Sequence, residues 1–464
     1  MIGKNTLIQI FLTGLSGVAG FFFLSLSARL FGPDILGFIA YLFSLTAIIF
    51  AFSDLGLSRA HGFYTASSAK PGQNLGTFLS LKSFLLLLSS VAAFIYVYFF
   101  HTRSAWFLLT LIILIQVLTR LSDSILVTFE SRQQVLPQNI VRLITKLFRL
   151  LAVILIARHL KTNLGYSLVY LIDAGLIMLL SLILMMRFRP LKFSKQLVNK
   201  YLLYSLPFFA IVPLSYLQDN SLIIILKKFQ TIREVGYYSA SLGLTGSVKT
   251  LYAAVMLYFF PKISKLFSQK NQVQIQAYLH MASKYLLVIF TPIFMLLFLF
   301  RREVIALVLG REFLPAIPVF AWLLLGTYIL MVSAPYDQVL FATKNHRPLV
   351  IVNIFGLTIA VSLSFWLAPL YGAIGTVIAS LAAWTFSSLC HFFLVKKRLN
   401  FKLLPYLLPT LLPAAILLAL LSQLQPLIIK LVLSLLAVLV YCLILIKLKI
   451  ITKLDYKYLK TLRV

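Results

Sequence analysis

Residues 7–27 read LIQIFLTGLSGVAGFFFLSLS, a run with no charged side chain. As a helix rising 1.5 Å per residue it would reach about 30 Å, the thickness of a bilayer's hydrocarbon core. It is longer than the ~7–15-residue apolar core of a cleaved signal peptide and is not followed by an Ala-x-Ala exit, so it reads as a first membrane helix. Comparable runs recur with short polar interruptions as far as Lys447. The 464-residue chain is 61% apolar and only 11% charged, with a mean hydropathy of +0.98. A soluble enzyme, a disordered chain and a single-anchor receptor are thereby excluded, and the expected fold class is an all-α polytopic membrane protein.

The pattern predicts fourteen helices, near 7–28, 35–53, 76–100, 106–127, 138–157, 165–186, 201–226, 236–260, 283–300, 316–341, 348–369, 372–395, 403–421 and 427–447. An even number places both termini on one side. With that side taken as the cytosol, most of the Lys and Arg residues outside the helices fall inside, among them Arg187, Arg189, Lys192 and the run Lys396, Lys397, Arg398. This is the positive-inside bias, and it accounts for the net charge of +31 without a nucleic-acid partner. Cys390 and Cys442 fall in apolar segments and imply neither a disulfide nor a metal site. No connection is long enough for an extramembrane domain, and no phosphate-binding P-loop is present.

An internal echo suggests two halves. Gly37-Phe38-Ile39-Ala40-Tyr41 opens the second predicted helix, and Gly236-Tyr237-Tyr238-Ser239-Ala240 opens the eighth. A weaker echo links Gly165-Tyr166-Ser167 with Gly375-Thr376-Val377. The expected organisation is a six-helix lobe over 1–186, a cytosolic linker over 187–200, a second six-helix lobe over 201–398, and two further helices with a basic tail over 399–464. Even-numbered halves make the repeats parallel, with substrate expected at their interface.

Several stretches carry a family likeness. Ala28-Arg29-Leu30-Phe31-Gly32-Pro33-Asp34, then Gly37 and Asp54-Leu55-Gly56-Leu57, resemble the signature of polysaccharide flippases of the multidrug/oligosaccharidyl-lipid/polysaccharide exporter superfamily. So do Leu206-Pro207, Asp219, Val235-Gly236-Tyr237, Phe260-Pro261, Ala342-Thr343-Lys344 and Tyr371-Gly372-Ala373-Ile374-Gly375. The chain departs from many relatives at Asn220, where they carry Arg. The resemblance implies a flippase that moves an undecaprenyl-diphosphate-linked oligosaccharide to the outer leaflet of a bacterial cytoplasmic membrane, in O-antigen, lipopolysaccharide or related surface-polysaccharide synthesis. It also implies membrane lipids, a polysaccharide polymerase and assembly proteins as partners, and no cofactor beyond an H+ or Na+ coupling ion.

Ionisable side chains at membrane depth cost several kcal/mol and normally face a bundle interior or a wet cavity. Arg142, Lys146 and Arg149 follow the spacing i, i+4, i+7, so they share one face of the fifth helix, from about 8 Å to about 18 Å beyond Pro137. Such a stripe offers a diphosphate charge-assisted donors. Lys249, preceded by Gly243 and Gly246, is a candidate second jaw from the other half, or one member of a structural pair. Arg120 is a further candidate contact, with a local pair to Asp123 as the alternative. Lys82 is expected to snorkel, and Arg29 faces either a portal or headgroups. Asp173 is isolated among Leu, Ile and Ala, which suits proton or sodium coupling unless it pairs with the stripe. Asp337 and Asp219 lie nearer helix ends, as structural acids do. Pro207 and Pro213 on the seventh helix and the glycines of the first are candidate hinges.

No catalytic or metal-binding residue is assigned. The rival readings are a cation-coupled multidrug exporter of the same superfamily, which would favour an acidic cavity, and a membrane-embedded glycan polymerase or ligase, which would need a long outer loop. A structural scaffold for an envelope synthase is a third.

Overall fold

The computed structural model describes residues 4–66, 68–100, 103–209, 211–269, 272–342, 347–399, 406–422, 427–448 and 450. Every regular element among them is helical, and a helical segment coincides with each of the fourteen predicted spans. The helices are α1 (Lys4–Phe50), α2 (Leu57–Thr65), α3 (Pro71–Phe100), α4 (Arg103–Ser131) and α5 (Val135–His159). Next come α6 (Asn163–Met185), α7 (Lys195–Ser205), α8 (Ile211–Phe229), α9 (Ile232–Ser268) and α10 (Gln272–Leu299). The last are α11 (Arg301–Val304), α12 (Ile317–Ala342), α13 (Arg347–Leu399), α14 (Leu407–Ser422) and α15 (Leu427–Lys447). By length and composition, eight helices among the described residues can cross a membrane. The helix that carries the cation stripe, α5, is not one of these eight, because Arg142, Lys146 and Arg149 fall within a single span.

Three departures from the predicted spans have local causes. The first and second spans form one element, α1, folded at Gly32, whose φ of 73° and ψ of 175° suit a residue without a Cβ; Pro33 then restarts the helix. The eleventh and twelfth spans join in the same way as α13, folded at Gly372 with φ 58°. The seventh span is instead broken into α7, a tight turn over Leu206–Phe208 that contains Pro207, and α8, with Pro213 buried near its start. A proline cannot supply an interior helical N–H, so a break beside such a pair is the expected response. The connection over 54–75 gains a short helix, α2.

The described chain forms two compact units. The first comprises residues 5–247 and 357–379. At one of its ends the backbones of α1 and α9 touch. A Cβ at Gly37 would run into the Ile232 carbonyl and the Gly236 backbone, and one at Gly236 would run into the Pro33 carbonyl. The two glycines that mark the sequence echo therefore make the same close approach from opposite sides. Polar groups finish this end. Arg233 Nε lies 3.6 Å from Asp34 Oδ2, the Gln230 amide donates to the Ala368 carbonyl at 2.9 Å, and Glu234 Oε2 accepts from the Ala373 N–H at 3.1 Å where α13 restarts.

Elsewhere in this unit, α2, α3, α4 and α7 close around Leu57, Leu75, Phe78, Phe129 and Tyr201. Buried among them, His61 shares hydrogen bonds with Tyr201 Oη at 3.1 Å and Thr128 Oγ1 at 2.8 Å and stacks on Phe78. This polar knot ties the amphipathic α7 to the helices before it.

The second unit comprises residues 248–356 and the described residues from 380 onward. There α10, α14 and α15 pack around Met295, Ala414, Tyr441 and Leu445. Lys430 of α15 is held by the Leu299 carbonyl at 3.0 Å and Glu303 at 3.6 Å.

Candidate functional site

Pro137 sits in the first turn of α5, where a missing N–H costs nothing, and the helix then runs unbroken to His159. That regularity aligns the three cations, and each meets a different neighbouring helix. Arg142 Nη2 donates to Asp123 Oδ1 of α4 at 2.8 Å. Lys146 Nζ donates to the Ser16 carbonyl of α1 at 3.1 Å. Arg149 Nη1 donates to Asp173 Oδ2 of α6 at 3.3 Å. The Arg149 guanidinium also lies 4.0 Å from the Phe23 ring centroid and 5.8 Å from that of Tyr170. Aromatic faces of this kind attract a cation in a desolvated site.

Two expectations about pairing are corrected here. Asp123 does not pair with Arg120, three residues away on its own helix. It takes Arg142, while the Arg120 side chain extends to Tyr216 Oη at 3.2 Å and Gln116 Oε1 at 3.4 Å and lies over the Tyr216 ring. Lys82 does not snorkel. It is 4% exposed and lies 2.5 Å from Asp54 Oδ1, and Ser58 donates to the same carboxylate. Asp54 belongs to the quoted Asp54-Leu55-Gly56-Leu57 stretch, but nothing in the sequence pointed to a partner 28 residues on. Asp173, for which isolation and pairing with the stripe were both open, is paired.

The three carboxylates Asp54, Asp123 and Asp173 thus each engage one of the cations Lys82, Arg142 and Arg149. Arg120 and Lys146 contact only neutral groups among the described residues. The cluster carries a surplus of two positive charges. Its Arg149–Asp173 pair is also incompletely satisfied: Arg149 Nε and Asp173 Oδ1 are buried with no hydrogen-bond partner among the described residues. A buried donor left unmade costs about 1–3 kcal/mol. An arrangement that tolerates this, lined by aromatic rings and carrying surplus positive charge, can receive an anion with several oxygens.

Arg29 is exposed on α1 one turn before the Gly32 fold. Pro207 lies within the break between α7 and α8, and Pro213 just after it near the start of α8. Lys249 belongs to the second unit, where it stands within electrostatic reach of Asp337. Asp337 in turn bonds His391 Nδ1 at 2.7 Å. His391 was not singled out in the sequence, because it lies 54 residues from Asp337 and no periodicity links the two. Of the family stretches, Thr343 and Lys344 lie outside the described residues.

Residues 26–318, well over half of the chain, match the family model described as "Polysaccharide biosynthesis protein". The chain belongs to that family. Its fold is similar to that of a lipid II flippase, MurJ, in an inward closed conformation, with a TM-score of 0.78 at 17% identity over 96% of this chain and 100% of that one. A mutant of the Vibrio cholerae MATE transporter VcmN gives a TM-score of 0.59 at 13% identity, over 86% of this chain and 97% of that one. An inward-facing multidrug resistance MATE family transporter of the MOP superfamily gives 0.54 at 15% identity, over 84% and 94%. No curated protein matches. These fold neighbours are a flippase and multidrug transporters, and this chain is a multi-pass membrane protein with their fold.

Proposed function

We propose that the protein is a flippase for an undecaprenyl-diphosphate-linked oligosaccharide, carrying it from the cytosolic to the outer leaflet of a bacterial cytoplasmic membrane by alternating access. Both termini lie in the cytosol in this reading, and the product serves surface-polysaccharide synthesis, including O-antigen. The observation that carries it is the cation cluster around α5, where Lys146 and the neighbouring Arg120 of α4 have no balancing carboxylate and the Arg149–Asp173 pair keeps buried valences to spare. A diphosphate brings oxygens that Arg149 can hold in a bidentate fork and Lys146 can meet as a point charge. The glycan occupies hydrated space and the isoprenoid trails into lipid. The close packing of Gly37 with Gly236 supports a sealed outer end while the row is loaded from the cytosolic side.

A coupling cation, H+ or Na+, acts at Asp173 in this reading, since neutralising that carboxylate frees Arg149 for phosphate. The same surplus disfavours a cavity for cationic drugs. Polymerase and assembly proteins would receive the product.

The test is leaflet translocation in proteoliposomes with a diphosphate-linked oligosaccharide. Wild type should transport it, and Arg149→Ala and Lys146→Ala should lose at least about tenfold in rate at matched folding and density, the kinetic equivalent of ~1.4 kcal/mol. Transport by wild type with both variants unaffected would remove the site assignment, and no transport by wild type would remove the function.

A further inference from the structure

A pocket of about 660 Å³ lies among α1, the start of α3, the α4–α5 turn and the turn after α6, lined in part by Leu12, Pro71, Arg132, Asn139, Arg187 and Phe188. Its size is that of a ligand site. Its position relative to the α5 row gives it meaning. Asn139 is three residues before Arg142, seven before Lys146 and ten before Arg149, so the four share one face of α5. Leu12 stands one turn before Ser16, whose carbonyl receives Lys146. The same two helices, α1 and α5, therefore bound both the pocket and the cation row above it.

Its chemistry is mixed in an informative way. Arg132 commits Nη1 to the Ser68 carbonyl at 3.0 Å, which fixes the side chain and leaves the rest of its fork for a ligand. Arg187 is exposed at the pocket's edge. The adjacent carboxylate, Glu130, takes the Gln138 amide and does not line the pocket. Leu12, Leu136 and Phe188 supply apolar wall. Two guanidiniums beside an apolar wall suit a phosphate that arrives attached to an alkyl chain better than a free anion, which would leave the wall unused.

We propose that this pocket docks the phosphate headgroup of a lipid before it enters the α5 row, with Arg132 and Arg187 as phosphate ligands and Asn139 as the hand-over residue. The proposal rests on the flippase reading for its cytosolic placement. The headgroup is either the substrate's diphosphate or that of a bulk anionic phospholipid, and binding distinguishes them.

The experiment uses the full chain in phosphatidylcholine nanodiscs and measures retention of undecaprenyl diphosphate, phosphatidylglycerol and undecaprenol by native mass spectrometry. The Arg132→Ala/Arg187→Ala double variant should bind undecaprenyl diphosphate at least about tenfold more weakly. The Arg132→Lys/Arg187→Lys variant should recover most of the loss, and undecaprenol should be unaffected. Loss confined to the diphosphate identifies the substrate as the ligand; parallel loss of phosphatidylglycerol identifies a general phospholipid headgroup site. Unchanged binding of both phosphates by the alanine variant overturns the proposal. If wild type retains the diphosphate and only Arg149→Ala releases it, the pocket assignment alone falls. If wild type retains no phosphate lipid, the flippase reading falls with it.

Discussion

Two ion pairs in the same unit use the same chemistry to different ends. Lys82 and Asp54 lie 2.5 Å apart, the lysine is 4% exposed, and Ser58 adds a further donor to the carboxylate. Arg149 and Asp173 lie 3.3 Å apart, their side chains keep 17% and 22% of their surface, and each leaves a buried polar atom without a partner among the described residues. The first pair directs its valences inward and holds α3 to the turn after α1. The second retains capacity to bind. A buried pair is weak grounds for a functional site when fully satisfied and better grounds when its geometry leaves donors waiting.

The contrast can be broken by mutation, beginning where the effect should be greatest. Lys82→Met strands the Asp54 charge and should cost about 3–5 kcal/mol of stability. Adding Asp54→Leu should return most of it in thermal unfolding. If the single variant unfolds like wild type, the tight pair is not structural.

Arg149→Ala should behave in the opposite sense, with stability changed by less than about 2 kcal/mol because Lys146 stands within electrostatic reach of Asp173 and can take over its charge. Transport should nevertheless collapse. Asp173→Asn sharpens the point: by releasing Arg149 it should raise affinity for undecaprenyl diphosphate, read by nanodisc binding, and a lower affinity would mean that the carboxylate helps to bind the ligand.

His61 offers a fully satisfied site to set beside the loose pair. Burial pushes its imidazole down to about 3 from an ordinary 6.5. Above 6.5 both folded and unfolded chains hold it neutral, so it adds no pH dependence. As pH falls from 6.5 toward 3 the unfolded chain takes up a proton that the folded one refuses, and stability drops by roughly 1.4 kcal/mol per unit. A His61→Asn variant should lose that part of the slope in melts between about pH 7 and 5.

The smallest effect should come from Glu234→Gln, which keeps an acceptor for the Ala373 N–H but loses its charge, at a cost of about 1 kcal/mol. A transport rate that rises as stability falls would show that this contact restrains opening of the end where Gly37 meets Gly236.

The alignment of Arg142, Lys146 and Arg149 was legible in the sequence, because helical periodicity alone puts i, i+4 and i+7 on one face. The helix ends beside Gly32 and Gly372 were legible too, but not that each pair of spans joins through a positive-φ glycine. Partner choice was not legible. Arg120 and Asp123 are neighbours in sequence, yet the long, flexible Arg120 side chain reaches Tyr216 of α8 at 3.2 Å, and it is Arg142 of α5 that meets Asp123, at 2.8 Å. Lys82 read as a snorkelling side chain because its depth was inferred from its own helix, whereas the turn that carries Asp54 folds back over it. The pairing of Asp337 with His391 had no signal at all in spacing or composition.

The sequence by itself determined the environment and the periodicity. Apolar runs of bilayer length must become helices, since a lipid-facing backbone has no other way to satisfy its polar groups, and the cations they carry must fall where about 100° per residue places them. Only the tertiary structure decided which charges cancel and which remain. Partner choice depends on distances of a few ångströms between helices far apart in the chain, and ion-pair energies in a low-dielectric interior vary steeply over that range.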